Sequence, residues 1–221
     1  MQEEMENYTN RRKDIKMIDS IIFDLDGTLW DSTDAAAVIW REVAEKYPEV
    51  KDIINADRLK TLYGLPLEEI AIKLLPSVSK ETAIEIMRES TTKQCPYLEK
   101  VGGILFEGLE DTLKKLKENY RLFIVSNCEE GYIQCFLKAH RLQDYFDDFE
   151  YPGRSGLLKA DNIRLIINRN HLNAPVYVGD TLGDAVATKE AGIPFVYARY
   201  GFGHVTEYDY VIDSFPELLK L

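Results

Sequence analysis

Beyond residue 107 the chain alternates short apolar runs with amphipathic stretches, and that alternation narrows the folds open to it to one class. Leu109, Leu113, Leu116 and Tyr120 form a helical stripe, and Arg121–Val125 reads as a strand. Residues 129–140 and Lys159–Asn170 read as helices, the second with Ile163, Ile166 and Ile167 on its buried side. Residues 175–178 form a strand, followed by a helix that Gly192 terminates. Residues 194–197 and 208–212 supply the last strands, and Ser214 caps a final helix. Strands separated by helices need crossover connections, which favour a parallel sheet covered on both faces. The fold class is therefore α/β.

A second style of sequence interrupts this pattern. Residues 21–23 are apolar and β-branched or aromatic, a strand that ends at Asp24. From Asp31 to Gly103 the sequence reads as helices only. They are a segment capped by the 31–34 acidic-hydroxyl cluster and running to residue 46, then 57–63, 67–75, and one from Ser79 towards Gln94. Pro48, Gly64, Pro66, Pro76 and Pro96 punctuate these pieces. The expected organisation is an α/β domain of residues 17–30 and 104–221, with a helical unit at 31–103 inserted after its first strand. Residues 1–16 are polar and are expected to be an N-terminal extension, not a signal peptide.

Length and charge limit the partners. A chain of 221 residues can bury a substantial core. Its formal net charge is −11, and no part is basic, which argues against nucleic acid. No apolar run reaches membrane-spanning length. Three cysteines, Cys95, Cys128 and Cys135, are odd in number and lack metal-ligand spacing, so they read as reduced thiols in a cytoplasmic protein. Nothing demands more than a monomer.

Open parallel sheets bind ligands beyond the carboxyl ends of their strands. Asp24 and Asp26 share one face at the tip of the first strand, because side chains at i and i+2 point the same way. Two adjacent carboxylates suit a Mg²⁺ site, or a nucleophile beside an acid/base, although Asp-Gly alone often marks only a turn. Ser126 and Asn127 follow the strand Arg121–Val125, where a hydroxyl and turn amides suit a phosphoryl oxygen; a plain helix cap explains them more simply. Asp180 and Asp184 follow the strand at 175–178, one helical turn apart, and capping is again the alternative. Lys159 opens a helix against the dipole, yet an arbitrary lysine is usually solvated.

Together, Asp24-Leu-Asp26-Gly-Thr-Leu29, Ser126, Lys159 and Gly179-Asp180-x-x-x-Asp184 resemble the four ordered motifs of the haloacid dehalogenase-like hydrolases. The helical insertion resembles the cap of that superfamily's C1 branch. Val178–Thr181, Ala191–Phe195 and Tyr200-Gly-Phe-Gly203 are similar to phosphoglycolate phosphatases in particular. The resemblance implies a Rossmann-like core and a phosphatase acting on a small phosphorylated metabolite. It implies Asp24 as nucleophile and Asp26 as acid/base. Mg²⁺ would be held by Asp24, the backbone carbonyl of Asp26 and Asp180, with Asp184 acting through water or behind the ligands. It also implies Ser126, the amide of Asn127 and Lys159 as the phosphate-binding groups. Asp26 argues against dehalogenation, since dehalogenases lack an acid there.

Two other readings stay open. β-Phosphoglucomutases share both aspartates, but they carry a cap histidine where this chain has Ala36. A non-catalytic phosphate-binding regulator on the same fold would usually have lost Asp24 or Asp26. The third motif departs from the phosphatase pattern, with Gly156-Leu-Leu-Lys159-Ala-Asp161 in place of Lys-Pro-x-Pro, so phosphoglycolate itself is not specified. Trp40, Tyr63, Arg58 and Lys60 are candidates to contact the leaving group, equally well explained as core or solvated face. His140, His171 and His204 show no ligand spacing.

Overall fold

Ile21 and Phe23 point to one face of their strand and Ile22 to the other, and all three are buried, so this strand lies at the heart of a sheet covered on both sides. In the computed structural model, which describes residues 18–50 and 54–221, six parallel strands form that sheet. They are β1 (Ser20–Phe23), β4 (Arg121–Val125), β5 (Asp148–Glu150), β6 (Pro175–Gly179), β7 (Phe195–Ala198) and β8 (Tyr210–Ile212), in the order β5-β4-β1-β6-β7-β8. Two further strands, β2 (Trp30–Asp31) and β3 (Ile104–Leu105), pair antiparallel at the two ends of the helical insert. The N-terminal extension expected at residues 1–16 lies outside the described residues.

The helices are α1 (Thr33–Ala44), α2 (Ala56–Lys60), α3 (Leu67–Leu74), α4 (Lys80–Val101), α5 (Leu109–Leu116), α6 (Tyr132–His140), α7 (Pro152–Ser155), α8 (Lys159–Asn170) and α9 (Leu182–Ala191). Helices α5 and α6 cover the Ile21 face of the sheet, with Leu113, Leu116, Ile133 and Phe136 buried against it. On the other face α8 and α9 bury Ile163, Ile166 and Ala187 beside Ile22 and Phe123. The insert has a hydrophobic core of its own, built from Trp40, Val43, Leu59, Ile70, Leu74, Ile86 and Met87. Helix α4 joins the two, because its Leu98 belongs to the core under the sheet.

Several features depart from the sequence expectation. Strand β5 is not among the strands read from the sequence; its Glu150 pairs with Arg154 and Arg169 at the sheet's edge. Pro96 does not end its helix: α4 runs through it to Val101, held on one side by the insert and on the other by α6. Ser32 precedes α1 but makes no cap bond, because its hydroxyl is drawn away to Asp26. The final helix is a 3-10 turn at Phe215–Lys220, and Ser214 makes no side-chain cap.

Candidate active site

Register places the site. Phe23 pairs with Ile124 on β4 and with Val178 on β6, so the residues just beyond all three strand ends become neighbours. The chain runs from β1 outward to β4 and β5, then restarts on the opposite side at β6, which makes the β1–β6 junction the switch point of the sheet. Asp24, Ser126 and Asp180 follow β1, β4 and β6 at that junction, and all three are buried.

Lys159 enters from the start of α8 and is buried rather than solvated. Its Nζ donates to Asp24 Oδ1 at 2.8 Å and to Asp184 Oδ1 at 2.6 Å. The two carboxylates hold the ammonium charged, with a pKa above the usual lysine range despite its burial. Asp184 is engaged through both oxygens, since its Oδ2 accepts from the Thr181 amide at 2.9 Å and hydroxyl at 2.6 Å in a reciprocal cap of α9. Capping and site-building are thus one arrangement. Asp180 accepts from the Phe202 amide at 2.7 Å. Gly27 and Gly201 flank its carboxylate so closely that a Cβ on either would collide with it.

Asp24, Asp180 and Asp184 each bring a carboxylate oxygen within 4.8 Å of the other two, all buried. One ammonium against three carboxylates leaves negative charge out of water. Burial first, then Asp184 and Asp24, drive the Asp180 carboxyl well above its usual range. Burial likewise pushes Asp24 up to about 6 against the pull of Lys159. An all-oxygen, acidic donor set of this kind fits a hard divalent cation. All three carboxylates also accept hydrogen bonds: Asp184 through both oxygens, Asp180 from the Phe202 amide and from Thr28 Oγ1 at 3.3 Å, and Asp24 from Lys159.

Asp26 stands apart from this cluster. Its Oδ1 accepts from Ser32 Oγ and from Tyr132 Oη, each at 2.9 Å, and the two hydroxyls are themselves 2.7 Å apart. Burial, opposed by Ser32 and reinforced by Asp24, pushes its carboxyl up to about 7. Tyr132 and Ser32 were not candidates in the sequence. Neither lies in a motif: Ser32 reaches Asp26 through the short loop after β1, and only the packing of α6 brings Tyr132 there.

The insert closes over this edge of the sheet. Asn127 Nδ2 donates to the Gly64 carbonyl at 3.0 Å, and the Tyr63 ring meets Phe202 edge-on with centroids 6.3 Å apart. Between insert and sheet lies a cavity of about 60 Å³ lined by Asp26, Tyr132, Trp40 and Tyr63 among others. Arg58 and Lys60 do not line it: Arg58 donates to the Lys73 carbonyl, and Lys60 pairs with Asp31 at 2.8 Å. His140 is wedged edge-on against Trp30, and His171 is the left-handed residue ending α8.

The sequence model of haloacid dehalogenase-like hydrolases matches residues 21–198. The chain belongs to that family. It is 26% identical over 225 residues to a phosphoglycolate phosphatase of Vibrio vulnificus, an alignment covering 95% of this chain and 97% of the relative. A phosphoglycolate phosphatase of Salmonella typhi is 27% identical over 241 residues, covering 93% and 92%. The crystal structure of a putative haloacid dehalogenase-like hydrolase from Bacteroides fragilis superimposes with a TM-score of 0.78 at 26% identity, covering 91% of this chain and 99% of that one. The family is one of hydrolases, and its phosphoglycolate phosphatase branch is the one this chain resembles.

Proposed function

We propose that this hydrolase is a Mg²⁺-dependent phosphatase that cleaves a small-molecule phosphomonoester through an aspartyl-phosphate, with residues 31–103 as a cap over the α/β core. One observation carries the reading. Two aspartates two residues apart sit in different environments, Asp24 against Lys159 and the acidic cluster, Asp26 against two hydroxyls under the insert. Paired carboxylates with separated environments are how one site supplies a nucleophile and an acid.

Asp24, the backbone carbonyl of Asp26, and Asp180 would hold the metal, while Asp184 anchors Lys159 and α9 beside them. When bound there, Mg²⁺ supplies the positive charge that lets a dianionic phosphate approach a carboxylate. Ser126, the Asn127 amide and Lys159 bind the non-bridging phosphoryl oxygens. A carboxylate oxygen of Asp24 attacks phosphorus, the ester P–O bond breaks, and protonated Asp26 gives its proton to the departing oxygen. Asp26, now ionised, takes a proton from water as that water attacks phosphorus. The bond to Asp24 breaks, phosphate leaves, and both aspartates return to their starting states.

The test is phosphate release from p-nitrophenyl phosphate with Mg²⁺ and with EDTA, in the wild type and in Asp24→Asn. Turnover is expected only with the cation, and Asp24→Asn is expected to lose on the order of 10³-fold or more. Undiminished turnover in Asp24→Asn would remove Asp24 as nucleophile; isomerised sugar phosphate in place of free phosphate would point to a mutase.

A further inference from the structure

The cavity between insert and sheet is the place left for the leaving group, because Asp26, the proposed proton donor, lies on its floor. Its walls carry an unusual charge pattern for an enzyme of anionic metabolites. Among the described residues lining it there is no lysine, arginine or histidine, and the carboxyl groups are those of Asp26 and Glu129. The cationic candidates from the insert are used elsewhere, as the Arg58 and Lys60 contacts show. Arg88 lies in a separate outer groove that shares Leu67, Asn127, Cys128 and Glu129 with the cavity. A carboxylate or second phosphate carried into the inner cavity would lose water, gain no cation and face Asp26.

What the cavity does offer is neutral hydrogen bonding. Trp40 Nε1 donates to Gln94 Oε1 at 2.7 Å, and both side chains are buried. That bond fixes the amide's orientation, since an amide nitrogen cannot accept, and leaves Gln94 Nε2 as the donor, beside the Tyr63 hydroxyl. Tyr63 is more than nine-tenths buried, and its hydroxyl lies near Ser32 and Gln94 without a hydrogen bond of ordinary geometry to either. A buried hydroxyl left without a partner is uncommon and points to a group that arrives with the ligand. Ile70 and the Trp40 ring close the cavity with apolar surface.

Building on the phosphatase reading, we propose that the leaving group is a small uncharged alcohol with a further hydroxyl, selected by Tyr63 and Gln94. Esters whose leaving group bears a carboxylate or a second phosphate are disfavoured. An alcohol hydroxyl accepts from Gln94 Nε2 and exchanges a hydrogen bond with Tyr63, while the apolar walls take its carbon chain.

The test is a matched set: 2-hydroxyethyl phosphate, phosphoglycolate, which has a carboxylate in place of the terminal hydroxymethyl group, and ethyl phosphate, which has neither. With Mg²⁺, kcat/KM is expected to be about tenfold or more higher for 2-hydroxyethyl phosphate than for either other ester. Tyr63→Phe and Gln94→Leu should each shrink the ratio of 2-hydroxyethyl to ethyl phosphate, by about tenfold. Thr91→Arg, which places a cation on the wall formed by α4, should raise phosphoglycolate use relative to 2-hydroxyethyl phosphate. Phosphoglycolate cleaved as well as or better than 2-hydroxyethyl phosphate by the wild type overturns the substrate inference and leaves the phosphatase reading standing. An unchanged ratio in both Tyr63→Phe and Gln94→Leu overturns the selecting role of these residues. No phosphate released from these esters or from p-nitrophenyl phosphate overturns both readings together.

Discussion

Asp26 has two tasks in the proposed cycle, and a leaving group can be chosen that needs only one of them. p-Nitrophenolate departs with little help from an acid, whereas an alkoxide does not. Asp26→Asn keeps the side chain's shape and its place beside Ser32 and Tyr132, but it can neither donate the proton nor activate water. General acid–base assistance contributes ~10²–10⁴-fold, so ethyl phosphate turnover should fall by about that factor. With p-nitrophenyl phosphate, rapid mixing should instead reveal a burst of about one nitrophenolate per chain, followed by a stall at the phosphoenzyme. A slow steady rate with no burst would show that formation of the phosphoenzyme, not its hydrolysis, limits the variant, and that Asp26 is needed even for a good leaving group. Tyr132 and Ser32 are the supports of this residue, and they also mark what a linear sequence hides. Asp24, Ser126, Lys159, Asp180 and Asp184 occur at strand ends or helix starts, where local pattern and the switch-point rule place them together. The partners of Asp26 come from a loop and a helix that meet only through tertiary packing.

At the scale of elements, the loop between α2 and α3 fastens the insert to the core. Gly64 has a φ of +90°, and a Cβ there would touch Thr181 Cγ2 at 3.0 Å. Its carbonyl accepts from Asn127, next to Ser126, which is proposed to bind phosphate. Gly64→Ala therefore strains the turn and presses on the start of α9 at the same time, a cost of about 1 kcal/mol or more borne by the closed arrangement. The expected result is a several-fold loss in kcat/KM for the alkyl esters with the Mg²⁺ dependence unchanged, because Asp24 and Asp180 lie on the core. A shift in the Mg²⁺ concentration needed for half-activation would show instead that the loop supports the metal ligands. Long elements with a clear period, such as α5, β4 and α8, were legible before the structure. The β2–β3 ribbon was not, because two residues per strand carry no period. Strand β5 was hidden by its acidic composition, which Arg154 and the more distant Arg169 offset. Pro96 misled because local propensity ends a helix there, while packing on two sides carries α4 onward.

For the whole molecule, the acidic site is a store of unfavourable charge whose cost depends on pH and on cation. Asp24, pushed up to about 6, and Asp26, pushed up to about 7, both bind protons more tightly in the folded chain than in the unfolded one. Stability follows the difference in bound protons, so a raised carboxyl favours the folded state below its unfolded value, and that contribution is lost as pH rises through the folded value. Two other carboxylates work in the opposite sense: buried Glu150, held low by Arg154 and Arg169 against its burial, and exposed Asp213, held low by Arg199, lose their contribution only in more acidic solution. Between about pH 5 and about pH 8 the two active-site aspartates work against His140, held low by burial, and should outweigh that single group. In EDTA the melting temperature should fall across that window, by an amount corresponding to roughly 1–3 kcal/mol once the partial exposure of Asp26 is allowed for. Asp26→Asn, which cannot ionise, should flatten the slope. Mg²⁺ binds ionised carboxylates, so its stabilisation should grow with pH, reaching about 2.7 kcal/mol at a cation concentration a hundredfold above Kd. Thermal melts of wild type and Asp26→Asn, at several pH values with and without Mg²⁺, measure all of these slopes. A metal-free melting temperature that rises from about pH 5 to about pH 8 would mean that the aspartates are ionised throughout and that Lys159 alone balances the cluster.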